Sequence, residues 1–218
     1  MAKLVWDETG TRNFETGVSQ GVLFVKGSSG YGEGIAWNGL VSVQESPSGA
    51  DANDLYADDI KYATIRSTED FGFTIEAYTY PDEFEECDGN KEAATGLVVG
   101  QQPRKPFGFV FKSKIGDDEH PGIDKGYKLH IIYNATANPA ERQYQTINDS
   151  PDAITFSWEC TTVPVSIAAA GYKPSAHLVI DSTKADATKL TALEKKLFGD
   201  TNSASTLPDP DTVISDLT

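Results

Sequence analysis

The chain has 218 residues, 39% of them apolar and 23% charged, with nine Tyr, ten Phe and three Trp, a composition that excludes extended disorder. Its formal net charge of −15, from 33 acidic against 18 basic residues, repels phosphate and argues against tight nucleic-acid binding. No apolar run is long enough to span a bilayer, so no membrane insertion is expected, and MAKLVWDETGT lacks the charged head and apolar core of a secretory signal, so synthesis in a cytoplasm is expected.

After Trp6 the segment Asp7 to Gly17 is polar, and Val22 to Lys26 (VLFVK) reads as a short buried strand. Ser28 to Gly34 is a turn region, since its glycines accept positive φ. Ile35 to Val43 and Ile60 to Arg66 read as strands joined by an acidic loop, Ser46 to Asp59, far longer than a hairpin needs. A connection of that length without structure of its own is usually functional, so the loop is the first candidate for a contact outside the subunit.

In the strand from Phe71 to Tyr80, Phe71, Phe73, Ile75 and Ala77 share one face and Thr74, Glu76 and Tyr78 the other. Pro81 ends it, and the acids of PDEFEEC favour one or two helical turns. Neighbours on a helix point apart, so Glu85 and Glu86 read as a solvated face and not as a catalytic pair. Asp88 to Pro106 is a loop rich in Gly, Gln and Pro, followed by a strand, Phe107 to Ile115, with Phe107, Phe109 and Phe111 on its core side.

The turn with Asp117, Asp118, Glu119, His120 and Asp124 has the ingredients of a calcium loop without its spacing, so no metal is expected there. His120, His130 and His177 are far apart and none is paired with a nucleophile, so no catalytic residue, metal or cofactor is expected. Cys87 and Cys160 match no metal or redox spacing and read as free, buried thiols.

Tyr127 to Tyr133 and Ile154 to Thr161 are further strands, with a short helix expected between them at Asn138 to Gln143. Val163 to Ile167 and Ala176 to Ile180 complete the set. The one strong helix is Ala187 to Phe198: Leu190, Leu193 and Leu197 share a face, Asp186 caps the start and Gly199 stops it. Pro208 to Leu217 opens like another short helix with Asp209 as cap. The expected class is therefore mainly β, a sandwich or barrel of about eight to nine strands with one flanking α-helix and short extra helices. Residues 1–199 read as one domain and 200–218 as a C-terminal appendage.

Taken in succession, GEGIAWNGLVSVQESPSGADANDLYADDIKYATIRS, FGFTIEAYTYPDEFEECDG, GQQPRKPFGFVFKSKIGDD and YQTINDSPDAITFSWECTT resemble the major tail, or tail tube, proteins of long-tailed non-contractile bacteriophages and related prophages. The resemblance implies a tail-tube β fold whose subunits form homo-hexameric rings, their sheets running together around a bore. It implies stacking through the long loop at about 46–59, with Pro47, Asp51, Asp54, Leu55, Tyr56 and Asp58 as contact residues. The tube would house a tape measure protein, meet tail terminator and distal tail proteins, and pass DNA through an acidic lumen in the virion. Glu76, Thr74, Tyr78, Lys61 and Arg66 are the candidate lumen or inter-subunit sheet residues.

Two other readings make different demands. A carbohydrate- or receptor-binding β-sandwich of a tail tip needs an exposed aromatic platform, for which Trp37, Trp158 and Tyr78 are candidates. A hydrolase needs two acids across a cleft, such as Glu76 with Asp82 or Glu159.

Overall fold

The computed structural model describes residues 4–119, 125–147, 153–169 and 171–218. In chain order its strands are β1 Phe14–Gly27, β2 Gly30–Tyr31, β3 Ile35–Trp37, β4 Leu40–Glu45, β5 Ser48–Gly49, β6 Ala52–Ala57, β7 Ile60–Arg66, β8 Glu69–Asp70 and β9 Gly72–Ala77. After a 3-10 turn at Asp82–Glu86 come β10 Lys91–Ala94, β11 Leu97–Val99, β12 Phe107–Gly116, β13 Gly126–Ala137, β14 Phe156–Thr162 and β15 His177–Asp181, then helices α1 Ala187–Phe198 and α2 Pro210–Leu217. Nine strands form one sheet in the order β2-β1-β12-β13-β14-β9-β4, with β15 beside β13 and β3 beside β1.

Two devices fold this sheet over itself. Along Lys128–Ile132, β13 lies between β12 and β15, and at Ala135–Ala137 β14 takes the place of β15. The expected strand Ile35 to Val43 is two strands around a corner at Gly39, which sits at φ 77. There β3 pairs with β1 while β4 pairs with β9. A side chain at that position would be strained in the left-handed region and would meet Thr79 Cγ2 at 2.9 Å. The corner returns the far edge of the sheet to its first strand.

Between the facing halves lies one core cluster, which includes Leu23, Trp37, Phe73, Ile75, Phe109 and Trp158. The second face of β1, β12 and β13 is buried too: Val22, Phe24, Val110, Leu129 and Ile131 pack against Leu190, Leu193 and Leu197 of α1 and Val213 of α2. Burial on both faces is why VLFV, FGFVF and LHIIY are apolar almost without interruption. The start of α1 is capped by Asp186, whose carboxylate accepts from the Thr188 and Lys189 N–H groups at 2.9 and 3.0 Å. Gly199 ends the helix at φ 74. The segment after it, expected as an appendage, sends Leu207 and Val213 into this second cluster.

Three expectations are corrected. No helix forms at residues 138–143, because the Asn138 N–H donates to Glu159 O at 2.7 Å and continues the sheet edge. Arg142 is then drawn to Asp88 and donates to Tyr80 Oη at 3.2 Å, contacts that outweigh a helix too short to nucleate well. Val163 to Ile167 makes one isolated bridge, Val165 with Ser175, and not a strand. The loop Asp88 to Pro106 contains the β10–β11 hairpin.

Cys87 and Cys160 are free and lie in the same interior cluster. Burial raises both thiols, that of Cys87 to about 12, so neither is a thiolate at neutral pH.

Candidate functional site

Three features remain for function. The first is an arm. At Ser46, whose N–H donates to Gly72 O at 2.8 Å, the chain leaves the sheet. The segment expected to be a loop from Ser46 to Asp59 is half of a hairpin: β5 pairs with β8 at the root and β6 with β7 beyond it. The tip is Asp58–Asp59 at φ 52 and 62, both left-handed, as a two-residue hairpin turn of matching twist requires. That Asp pair between Leu55–Tyr56 and Ile60 was the available signal. It was outweighed because ANDLYA is poor in strand formers.

A lone two-stranded ribbon is marginal in water. This one also exposes Tyr56 at 70%, Tyr62 at 75%, Ile60 at 64% and Ile65 at 55%. Such a stripe has the character of a surface awaiting a partner. Among the residues expected to make outside contacts, Pro47, Asp51, Leu55, Tyr56 and Asp58 are exposed along the arm. Asp54 is engaged within it: Lys61 Nζ lies 2.8 Å from its Oδ1 and Thr64 Oγ1 donates to the same oxygen at 2.7 Å. The Lys61 hydrogen bond, then that of Thr64, holds the Asp54 carboxyl below its usual range. Lys61 and Arg66, expected on a sheet strand beside Glu76, lie on the arm instead, because β7 pairs with β6 and not with β9.

The second feature is the outer face of β4, β9 and β14. Ser42, Gln44, Thr74, Glu76, Ser157 and Glu159 point away from the core, and among the described residues no helix covers them. These three strands contain no Lys or Arg. Glu76 accepts from Ser42 Oγ at 2.8 Å, and Tyr78 is exposed just past the end of β9. Glu76 and Glu159 sit diagonally on neighbouring strands of one face, where two carboxylates cannot oppose each other across a cleft. Among the described residues β4 has no strand beyond it, and Phe156–Trp158 of β14 pairs on the β9 side alone. Both edges of this face are therefore open.

The third feature was not visible in the sequence. His130 on β13 and His177 on β15 approach each other, with Nδ1 of the first 3.2 Å from Nε2 of the second. Glu45, the last residue of β4 at the root of the arm, places Oε1 3.5 Å from that Nδ1 and 3.8 Å from that Nε2. His130 lies flat on Phe111 with ring centroids 4.4 Å apart, and His177 lies on Phe71 at the same separation. A histidine inside the otherwise apolar run LHIIY was the one hint. The partners come from strands too distant in sequence for any spacing rule.

Burial lowers both imidazoles to about 4, against the smaller upward pull of Glu15 on His130, so both are neutral at neutral pH. Burial, then Glu15, raises the Glu45 carboxyl, with Lys128 opposing. Each His of the unfolded chain takes up a proton below about pH 6.5, whereas the folded form resists until about 4. The unfolded state thus binds more protons in that window, and stability falls as pH drops through it, by roughly 2–3 kcal/mol for each His at most. Thermal melts from pH 7 to 4 in a chelating buffer check this. His177→Gln should flatten the slope, and an unchanged slope would refute the assignment.

In the acidic turn, Lys125 Nζ lies 2.9 Å from Asp117 Oδ2, and Asp118 accepts from the Gly10 N–H at 3.0 Å. His120 and Asp124 lie outside the described residues.

Comparison with known proteins assigns the chain. The family model described as phage tail tube protein matches residues 24–215, a span that takes in the arm, the bare sheet, α1 and most of α2. The chain belongs to the phage tail tube protein family. It is therefore a structural component of a phage tail that assembles into a tube. No curated protein matches the tail tube chain at a significant level. Among solved structures, a chain of the cryo-EM sheath-tube complex of an extracellular contractile injection system (PVC, extended state) is 12% identical. The match covers 74% of this tail tube chain and 88% of that one, with a TM-score of 0.31. Among the described residues no helix is long and apolar enough to cross a membrane.

Proposed function

We propose that the subunits close into homo-hexameric rings in which the β4–β9–β14 sheets join edge to edge around the bore, and that each arm reaches the next ring. The observation that carries this reading is a sheet whose β4 edge and whose β14 edge along Phe156–Trp158 are open among the described residues, and whose outer face holds Glu76 and Glu159 and no Lys or Arg. Pairing the β4 edge of one copy with the β14 edge of the next uses two different surfaces. That is the heterologous contact a closed ring needs, and it removes exposed strand edges. A bore of this kind holds the tape measure protein during assembly and later conducts DNA without binding it, since carboxylates repel phosphate. Tail terminator and distal tail proteins cap its two ends. The chain is made in the host cytoplasm, performs no catalysis and uses no organic cofactor.

The experiment is charge reversal in phage particles. Glu76→Lys with Glu159→Lys should leave tails of normal appearance but reduce DNA ejection by roughly tenfold, as phosphate is held on the wall. Ejection at the native rate from normal tails would mean that this face does not line the bore. The tail-tip binding module loses its platform, because Trp37 is 3% exposed and Trp158 fully buried, leaving Tyr78 alone at the surface.

A further inference from the structure

We propose that Glu45, His130 and His177 bind a divalent transition metal ion of the zinc class, which clamps the root of the arm to the body of the subunit. The three ligand atoms are separated by 3.2, 3.5 and 3.8 Å. A point equidistant from them lies about 2.0 Å from each, which is the Zn–N and Zn–O bond length. The set of two imidazoles and one carboxylate suits zinc, cobalt or nickel better than magnesium or calcium, which take oxygen ligands.

The surroundings are those of a prepared site. Ser113 Oγ lies 3.1 Å from His130 Nε2. When the ring donates Nε2–H to that hydroxyl, the lone pair of Nδ1 is left facing the other two ligands. Stacking on Phe111 and Phe71 holds both ring planes, which are 13° apart. Glu45 closes the site from the opposite half of the sheet, and its side chain is 43% exposed, giving the ion a path in and a water a fourth position. Glu45 precedes the arm, so a bound ion ties the start of the arm to β13 and β15, while its other end is held where Phe71 stacks on His177. The inference stands on this geometry and is independent of how rings assemble.

The test uses the full-length chain freed of metal by chelator and titrated with Co²⁺ and then Zn²⁺. One equivalent of Co²⁺ should produce visible d–d absorption that Zn²⁺ displaces, and Zn²⁺ should raise the melting temperature. Glu45→Gln, at the exposed rim, and His177→Gln should each weaken binding by about 100-fold, and Ser113→Ala by about 10-fold. His120→Ala should bind like the native chain. The proposal is overturned by absence of the bands, by binding that survives Glu45→Gln or His177→Gln, or by binding lost in His120→Ala.

Discussion

Excising Pro47 to Asp70 and bridging Ser46 to Phe71 with Asn-Gly should give a folded subunit that makes no tubes. The excision follows the hairpin. Removing residues 46–59 alone would strip β6 from β7 and leave an orphaned strand, whereas removing the whole arm takes β5 to β8 together. Asn, Gly and Phe71 then form a three-residue loop between Ser46 and Gly72, which keeps their hydrogen bond and the register that pairs Glu45 with Phe73. The arm adds nothing to either core cluster, so the change in unfolding free energy should stay within about 1 kcal/mol. Concentrated native protein and the excised form are compared by negative-stain microscopy. Long tubes from the excised form would show that the arm is not what stacks the rings, while single rings would leave edge pairing intact and assign stacking to the arm.

Trp158→Ala is expected to be the most damaging single substitution in the core. The indole is fully buried, with ring centroids 5.1 Å from Phe84, 5.3 Å from Tyr80 and 5.7 Å from Trp37. Truncating such a residue leaves a cavity that these rings cannot all collapse into, at a cost of about 3–5 kcal/mol. For a chain of this size that is a drop in melting temperature of about 10 °C or more. Trp158→Phe is the informative companion. Among the described residues Trp158 Nε1 has no hydrogen-bond partner, so replacing the indole removes a buried, unsatisfied N–H while creating a smaller void. These terms oppose each other, and the net loss should be about 1 kcal/mol. Calorimetry that finds the Phe variant as unstable as the Ala variant would refute the balance.

The structure also reorders the functional residues. Lys61 and Asp54 were separate candidates for contacts with other copies, and they satisfy each other on one arm. Glu76 keeps the outward position its alternation with Phe73 and Ile75 implied. His130 and His177 carried no functional expectation and became one site with Glu45.

What the sequence determined by itself is whatever depends on neighbours along the chain. The alternation of Phe73, Ile75 and Ala77, the leucine face of α1 and its Asp186 and Gly199 ends are local, set by backbone periodicity and by hydrogen bonds within a turn or two. Tertiary structure alone decided which strand lies beside which. A short polar strand such as β6 pairs well or badly according to its partner, and the partner is chosen by the cost of closing the chain between them and by the surface both can bury. That is why β7 left the sheet for the arm, why residues 138–143 gave up a helix once Arg142 met the Asp88 carboxylate, and why two histidines from distant strands come together beside Glu45.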